Sequence, residues 1–183
     1  LDLGAWDQAG YNDNLWRPVM VGQKAYQGFL IAQPDEPIRV MNIVKPTKIT
    51  QPKPGIFIAD LGQNISGRIK LKINGPKRTH LKLRYAEMLN SDGAIYTPNL
   101  RQAQATDHYI LKGGITETYE PRFTYHGFRY VEVSGYPGRL NLDSIEGQAM
   151  HSAMERTGYF ETSNPKLNKL YQNILWSQKG NFV

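Results

Sequence analysis

The segment RIKLKINGPKRTHLKLRY, residues 68–85, alternates apolar and basic residues on both sides of a turn. The apolar positions, spaced two apart on each side, are Ile69, Leu71, Ile73, Leu81, Leu83 and Tyr85. Because successive side chains of a β-strand point to opposite faces, this spacing predicts two strands, each with one face in a core. The turn residues Asn74-Gly75-Pro76 predict that these two strands pair as a β-hairpin.

Five further strands are predicted outward from this segment, with turns rich in glycine and proline between them. They lie at Ile38–Val44, Ile56–Ala59, His108–Leu111, Phe123–Ser134 and Ser144–Met150. Short strands with frequent turns and no helical pattern between them are typical of antiparallel sheets. The sequence therefore predicts an all-β fold, an antiparallel β-sandwich or jelly roll.

A different periodicity occupies the last part of the chain, SNPKLNKLYQNILWSQKGN. Ser163 or Asn164 can cap the first free N–H groups of a helix, and Pro165 suits its first turn. The apolar residues from Leu167 to Leu175 follow the spacing of one helix face, and Lys179-Gly180 is a typical helix end. A single amphipathic helix with this much apolar surface is expected to begin a helical domain.

Composition and charge narrow the function classes. The 183 residues carry a formal charge of +6, and the charge is unevenly distributed. The segment from Lys24 to Arg84 contains twelve Lys and Arg but only three Asp and Glu. The cations between residues 68 and 85 are expected on the solvated face of a sheet, without the interleaved aromatic residues that nucleic-acid binding requires. No run reaches the roughly 18–20 apolar residues of a membrane span. The absence of cysteine excludes disulfides and thiol catalysis.

Several stretches together resemble one enzyme family. In chain order they are PIRVMNIVKPTKI, DLGQNISGRIKL, LRYAEML, SDGAIYTPNLRQAQATDHYILKG, YEPRFTYHGFRYVEVSGYP and SNPKLNKLYQNILWSQKGNF. From about Pro37 to the end the chain is similar to a bacterial α-L-rhamnosidase of glycoside hydrolase family 78. The opening GYNDNLWRPV resembles the end of the β-domain that precedes this region in such enzymes.

The resemblance implies a division into three parts. Residues 1–24 would end a preceding β-domain, residues 25–160 would form the β-sandwich, and residues 161–183 a linker with the first helix of an (α/α)6 barrel. It also implies that the catalytic acids belong to that barrel, with none in this chain. The parent enzyme would remove terminal α-L-rhamnose by acid and base catalysis, and the resemblance implies that the reaction inverts the configuration of the sugar. Its implied partners are a rhamnose-containing glycan or glycoside and the rest of the barrel, with no cofactor, nucleic acid or membrane.

Any catalytic role within this chain would fall to its acidic residues, because glycoside hydrolysis needs one protonated and one ionised carboxyl group. The candidates are Asp60, Glu87, Asp92, Asp107, Glu120, Glu132 and Glu146. Asp60 is expected in a tight loop or bulge. Asp92, which precedes a glycine, is expected in a turn. Glu87 follows a core-facing tyrosine, so we expect it to be partly buried and paired with Arg101 or Arg129.

The stretch FTYHGFRYVEVSG, residues 123–135, is predicted to be a strand with apolar groups on both faces. Its parity changes across His126-Gly127, where glycine permits a β-bulge. A purely structural strand is one interpretation. The other is that Tyr125, His126 and Arg129 stand at the bulge and touch the sugar or support the barrel, since aromatic and planar polar groups hold sugars.

Two other function classes remain open. An independent carbohydrate-binding module would present coplanar exposed aromatics, for which the candidates are Trp6, Trp16, Tyr96 and Tyr136. A protein-interaction module would use the apolar helix face between Leu167 and Leu175. No metal site is expected, because the four histidines are scattered and no calcium-loop pattern is present.

Overall fold

The computed structural model describes residues 3–22 and 28–183, and the chain divides into two compact units, Leu1–Pro34 and Asp35–Val183. Strand and helix assignments begin in the second unit. Its strands are β1 (Ile38–Val44), β2 (Lys48–Lys53), β3 (Ile56–Asn74), β4 (His80–Ala86), β5 (Met88–Leu89), β6 (Ile95–Tyr96), β7 (Thr106–Ile110), β8 (Thr116–Tyr119), β9 (His126–Ser134) and β10 (Ile145–Ser152). One α-helix, α1 (Pro165–Asn181), follows them. The predicted boundary between residues 24 and 25 lies outside the described residues.

One antiparallel sheet contains eight of these strands, in the order β1-β10-β3-β9-β4-β7, with β2 and β8 also paired to β3. The 19-residue β3 is long enough to have different neighbours along its length. Its first part lies between β2 and β9, and its last part lies between β10 and β8. The sheet therefore curls around its apolar side, which confirms the predicted all-β, antiparallel class with a C-terminal helix.

The core lies on the concave side of this sheet and contains the residues that the alternation predicted. Ile69, Leu71 and Ile73 of β3 and the corresponding apolar residues of β4 are all at most 1% exposed. Phe128, Val131 and Val133 of β9 join the same cluster. At about 25 cal/mol per Å² of apolar surface removed from water, this cluster is the main source of the fold's stability.

The predicted hairpin is wrong. Strands β3 and β4 follow each other in the chain, but β9 lies between them and pairs with both. Period-two alternation determines which face of a strand enters the core, yet it does not specify the neighbouring strand. The turn after Asn74 therefore carries the chain past β9 before β4 begins at His80.

Helix α1 begins as its sequence predicts. Asn164 is the N-cap, and its Oδ1 accepts a hydrogen bond from the backbone N–H of Lys166 at 2.9 Å. At the other end, Trp176 packs against the core and Lys179 Nζ donates to Asn42 Oδ1 at 3.0 Å. The helix is thus fastened to the sheet through its C-terminal half.

Much of the apolar face of α1 lies in solvent. Leu167, Leu170 and Ile174 are 46%, 53% and 53% exposed, and α1 has no fully buried residue. Within the described residues, no helix is both long and apolar enough to cross a membrane.

Candidate functional site

A wide bulge in β3 is the main irregularity of the sheet. Between Asp60 and Ile65 the pairing with β9 shifts, so that residues 61–64 of β3 face the single residue Arg129 of β9. Gly62 lies in the bulge with a φ of 71°, a conformation that glycine adopts without steric cost. The loop or bulge expected at Asp60 is confirmed.

Asp60 and Arg129 hold this bulge together. Arg129 Nε donates to Asp60 Oδ1 at 2.7 Å and its Nη2 donates to Oδ2 at 2.9 Å, a two-point contact between planar groups. The backbone N–H of Gly62 donates to the same carboxylate at 2.7 Å. The hydrogen bond from Arg129 holds the pKa of Asp60 below its usual value, so this carboxylate is ionised at neutral pH.

The strand predicted over residues 123–134 begins later than expected, at His126, because Phe123 has a φ of 59° and is fully exposed. The position in β9 at which the core-facing residues change from even to odd numbers also differs from the predicted one. Phe128 and Val131 both enter the core, so the switch lies at Arg129 rather than at His126-Gly127. The extra residues are on β3, and the sequence of β9 alone could not locate them.

His126 belongs to a partly buried network on the core side. Tyr85 Oη donates to Asp107 Oδ2 at 2.7 Å, and His126 Nε2 lies 3.2 Å from Asp107 Oδ1. The rings of Tyr85 and His126 stack with centroids 4.2 Å apart. Burial acts to raise the pKa of Asp107, but the hydrogen bonds from His126 and Tyr85 outweigh it and lower the pKa. Burial raises the pKa of Tyr85, which stays a hydrogen-bond donor.

The three residues singled out in the sequence do not form one constellation. Tyr125 is half exposed, His126 contacts Asp107, and Arg129 contacts Asp60. No hydrogen bond or ring contact joins any two of the three in the described part of the chain. Their role in sugar contact or barrel support stays a prediction.

A cleft of about 420 Å³, here called the amide cleft, separates the β3 bulge from α1. Its lining is dominated by amide and hydroxyl groups with one aromatic ring: Gln63, Asn64, Ser66, Glu87, Asn173, Trp176, Ser177 and Asn181. The sequence does not predict that these two distant segments meet. The only local signal was the recurrence of Gln and Asn in both segments.

Glu87 lies in the amide cleft rather than in the core. It is exposed, and its Oε1 accepts a hydrogen bond from Asn64 Nδ2 at 2.8 Å. The predicted partial burial and the predicted pairing with Arg101 or Arg129 are therefore wrong. Arg129 is engaged by Asp60, which removes it as a partner.

The remaining candidate acids have structural partners. Lys45 binds Glu146 at 2.7 Å, Arg84 binds Glu132 at 3.2 Å, Arg68 binds Glu120, and Asp92 accepts from the backbone N–H of Ala94. A glycosidase needs one acid that stays protonated near neutral pH. The two partly buried aspartates, Asp60 and Asp107, have their pKa lowered instead. The geometry of these acids is that of ion pairs supporting a scaffold.

Two of the aromatic candidates for a sugar platform, Trp6 and Trp16, are not coplanar. Within the first unit, Trp6 and Trp16 are about half exposed, and their rings are inclined at 34° with centroids 6.3 Å apart. In the second unit Tyr136 Oη donates to the Lys72 carbonyl, and Tyr96 is half-buried in β6. Among the described residues, no three His, Asp or Glu side chains gather closely enough to hold a metal ion.

Family models match almost the whole second unit. Residues 50–151 match the bacterial α-L-rhamnosidase concanavalin-like domain, and residues 155–183 match the six-hairpin glycosidase domain of the same enzymes. The two matches together define the class, a β-domain followed by the start of a glycosidase domain. The chain belongs to the bacterial α-L-rhamnosidase family, as the resemblance in the sequence indicated.

Individual relatives agree with this assignment. An α-L-rhamnosidase of Streptomyces avermitilis is 48% identical over the whole chain, and one of Alteromonas is 35% identical over 99% of it. The crystal structure of the Streptomyces enzyme complexed with L-rhamnose superposes with a TM-score of 0.93 over 99% of this chain. The native Aspergillus terreus enzyme superposes with a TM-score of 0.84 at 39% identity, over 98% of this chain and 21% of its own. The chain spans only 18% and 20% of the two curated relatives, and 18% of the Streptomyces structure.

Proposed function

We propose that this chain is the non-catalytic β-domain of an α-L-rhamnosidase and carries the first helix of the catalytic barrel. The observation that carries the proposal is the succession of two family matches in one chain, the concanavalin-like domain and then the start of the glycosidase domain. The parent enzyme would hydrolyse terminal α-L-rhamnosides. A barrel acid would protonate the leaving oxygen while a second carboxylate activates water, with inversion.

In this proposal the β-domain positions the barrel. The C-terminal part of α1 is bound to the sheet through Trp176, through Lys179 and through the Phe182 carbonyl, which accepts from the Ser152 N–H at 2.7 Å. The exposed residues Leu167, Leu170 and Ile174 would pack against further helices of the barrel. The division at residues 24/25 and 160/161 belongs to the same proposal.

The proposal assigns no bond-breaking acid to the described residues. Asp60, Asp107 and Glu132 are each held by a basic partner, and both aspartates have a lowered pKa. A carboxylate held in this way is a poor proton donor at neutral pH.

The experiment compares the parent enzyme with the isolated 183-residue chain on p-nitrophenyl α-L-rhamnoside. We expect turnover by the parent and none above the blank by the chain. A β-sheet spectrum in circular dichroism, recorded under the assay conditions, verifies that the chain is folded. Hydrolysis by the folded chain, verified by mass and free of other glycosidases, would contradict the proposal.

For His126 and Arg129 we propose a supporting role beneath the barrel. Replacing each by alanine in the parent enzyme, with kcat/KM and Tm measured on the same preparation, separates support from sugar contact. Support predicts a lower Tm with kcat/KM per folded molecule unchanged. A raised KM at unchanged Tm would instead indicate contact with the sugar.

A further inference from the structure

A second cleft, here called the basic cleft, lies on the outer face of the sheet. Its volume is about 510 Å³, within the range of roughly 300–1,000 Å³ typical of small-molecule sites. Lys82 and Arg84 of β4 and Thr106 of β7 form its floor. The connection between β6 and β7, residues 97–105, forms the wall, with Arg101, Gln102 and Gln104.

The cleft carries uncompensated positive charge. Arg84 binds Glu132 at 3.2 Å, whereas neither Lys82 nor Arg101 has an acidic partner among the residues that the structure describes. The register explains why the neighbouring strand supplies no carboxylate. His108 pairs with Lys82 and Thr106 pairs with Arg84, so the intervening Asp107 points to the opposite face, where Tyr85 binds it.

The wall of the basic cleft has a defined conformation. Arg101 has a φ of 55° and Ala105 a φ of 38°, values that residues other than glycine adopt at a cost. Backbone hydrogen bonds hold them there: the N–H of Arg101 donates to Pro98 at 3.2 Å, and the N–H of Tyr85 donates to the Ala105 carbonyl at 3.0 Å. A strained backbone of this kind persists only where the surrounding structure fixes it. Here the fixed conformation holds the backbone of Arg101 at the rim of the cleft.

We propose that the basic cleft binds a carboxylate-bearing sugar unit, a hexuronate, of the glycan on which the parent enzyme acts. That the ligand is a sugar rests on the proposed function. That it bears a carboxylate rests on the positive charge of the basic cleft. A guanidinium on the wall and an ammonium on the floor can hold a carboxylate between them. The two glutamine amides and the Thr106 hydroxyl provide donors and acceptors for sugar hydroxyls.

The test uses the whole parent enzyme and two matched ligands, methyl β-D-glucuronide and methyl β-D-glucoside, which differ only in the carboxylate. Saturation-transfer NMR titrations should show saturable binding of the glucuronide that weakens with added salt, and no binding of the glucoside. Arg101→Gln and Lys82→Gln should each weaken glucuronide binding about tenfold, since each removes a charged hydrogen-bond donor.

Lys82→Gln lies in a regular strand, so it tests the site even if Arg101→Gln disturbs the wall. Lys169→Gln is the control, because it removes the same charge from an exposed position on α1 and should leave binding unchanged. Equal binding of the glucoside, displacement by sulfate as effective as by glucuronide, or unchanged binding in both cleft variants would each overturn the proposal. Rhamnoside hydrolysis is measured separately on the same preparations, so failure of the proposed function and failure of the site are distinguishable.

Discussion

Replacing Arg129 by methionine tests whether the Asp60–Arg129 pair stabilises the bulge. Methionine keeps most of the side-chain length but removes both hydrogen bonds, which measure 2.7 and 2.9 Å. The side chain of Asp60 is 22% exposed and that of Arg129 is 39% exposed. The pair thus lies between exposed pairs, worth about 0.2–1 kcal/mol, and buried pairs, whose disruption costs about 3–5 kcal/mol.

After discounting for solvent screening, we expect Arg129→Met to lower the free energy of unfolding by about 1–2 kcal/mol. For a domain of this size that corresponds to a fall in Tm of about 2–8 °C. Urea unfolding followed by circular dichroism measures the change. Arg122→Met is the matched control, since Arg122 is exposed and has no ion pair among the described residues.

The lowered pKa of Asp60 determines how the stability difference between wild type and Arg129→Met depends on pH. Because the pKa of Asp60 is lowered in the folded state, the pair's contribution is fully present above the unfolded value of about 4. It is lost as the pH falls through the lower, folded pKa. The difference between wild type and Arg129→Met should therefore be constant from pH 7 to pH 5 and shrink as the pH falls below 4. A difference that is absent at pH 7, or equally large at pH 2, would refute the reasoning.

Two further substitutions test the network and the sheet. Tyr85→Phe removes the hydroxyl donor that lies 2.7 Å from Asp107 Oδ2. It should lower the free energy of unfolding by about 1–2 kcal/mol, because a partly buried carboxylate loses a hydrogen bond. Urea unfolding of the variant that matches wild type would contradict this. Gly67→Ala places a Cβ 2.0 Å from the Gln148 carbonyl oxygen, so β10 must move away from β3 at a cost of about 1–3 kcal/mol. Gly127→Ala, whose Cβ would meet no atom within 4 Å, is its control and should change the unfolding free energy by less than about 0.5 kcal/mol.

Local patterns predicted much of the fold correctly. The bounds of β1 match the expected Ile38–Val44, and the cap of α1 is one of the two residues expected. The core faces of β3 and β4 follow directly from the alternation. Each of these features depends on residues close together in the sequence, which is why periodicity and capping rules could find them.

The features that the sequence did not predict depend on distant residues. Asp60 and Arg129 are 69 positions apart, and the partner of β3 is a strand that begins at His126. Most residues of the amide cleft come from β3 and from α1, which lies about a hundred positions later. Neither alternation nor composition shows which distant segments meet, so the predicted hairpin and the predicted ion pair of Glu87 both have the wrong partner.

The most direct measurement of the central claim, that this chain supports a catalytic centre built elsewhere, is made in the parent enzyme. Asp60→Asn, Glu87→Gln and Asp107→Asn are assayed singly on p-nitrophenyl α-L-rhamnoside, with kcat expressed per folded molecule. We predict that each variant keeps kcat within a few-fold of wild type, because removing a true catalytic acid costs about 10²–10⁴-fold. A loss of that size in any one variant that retains its fold would show that the chemistry lies in these strands.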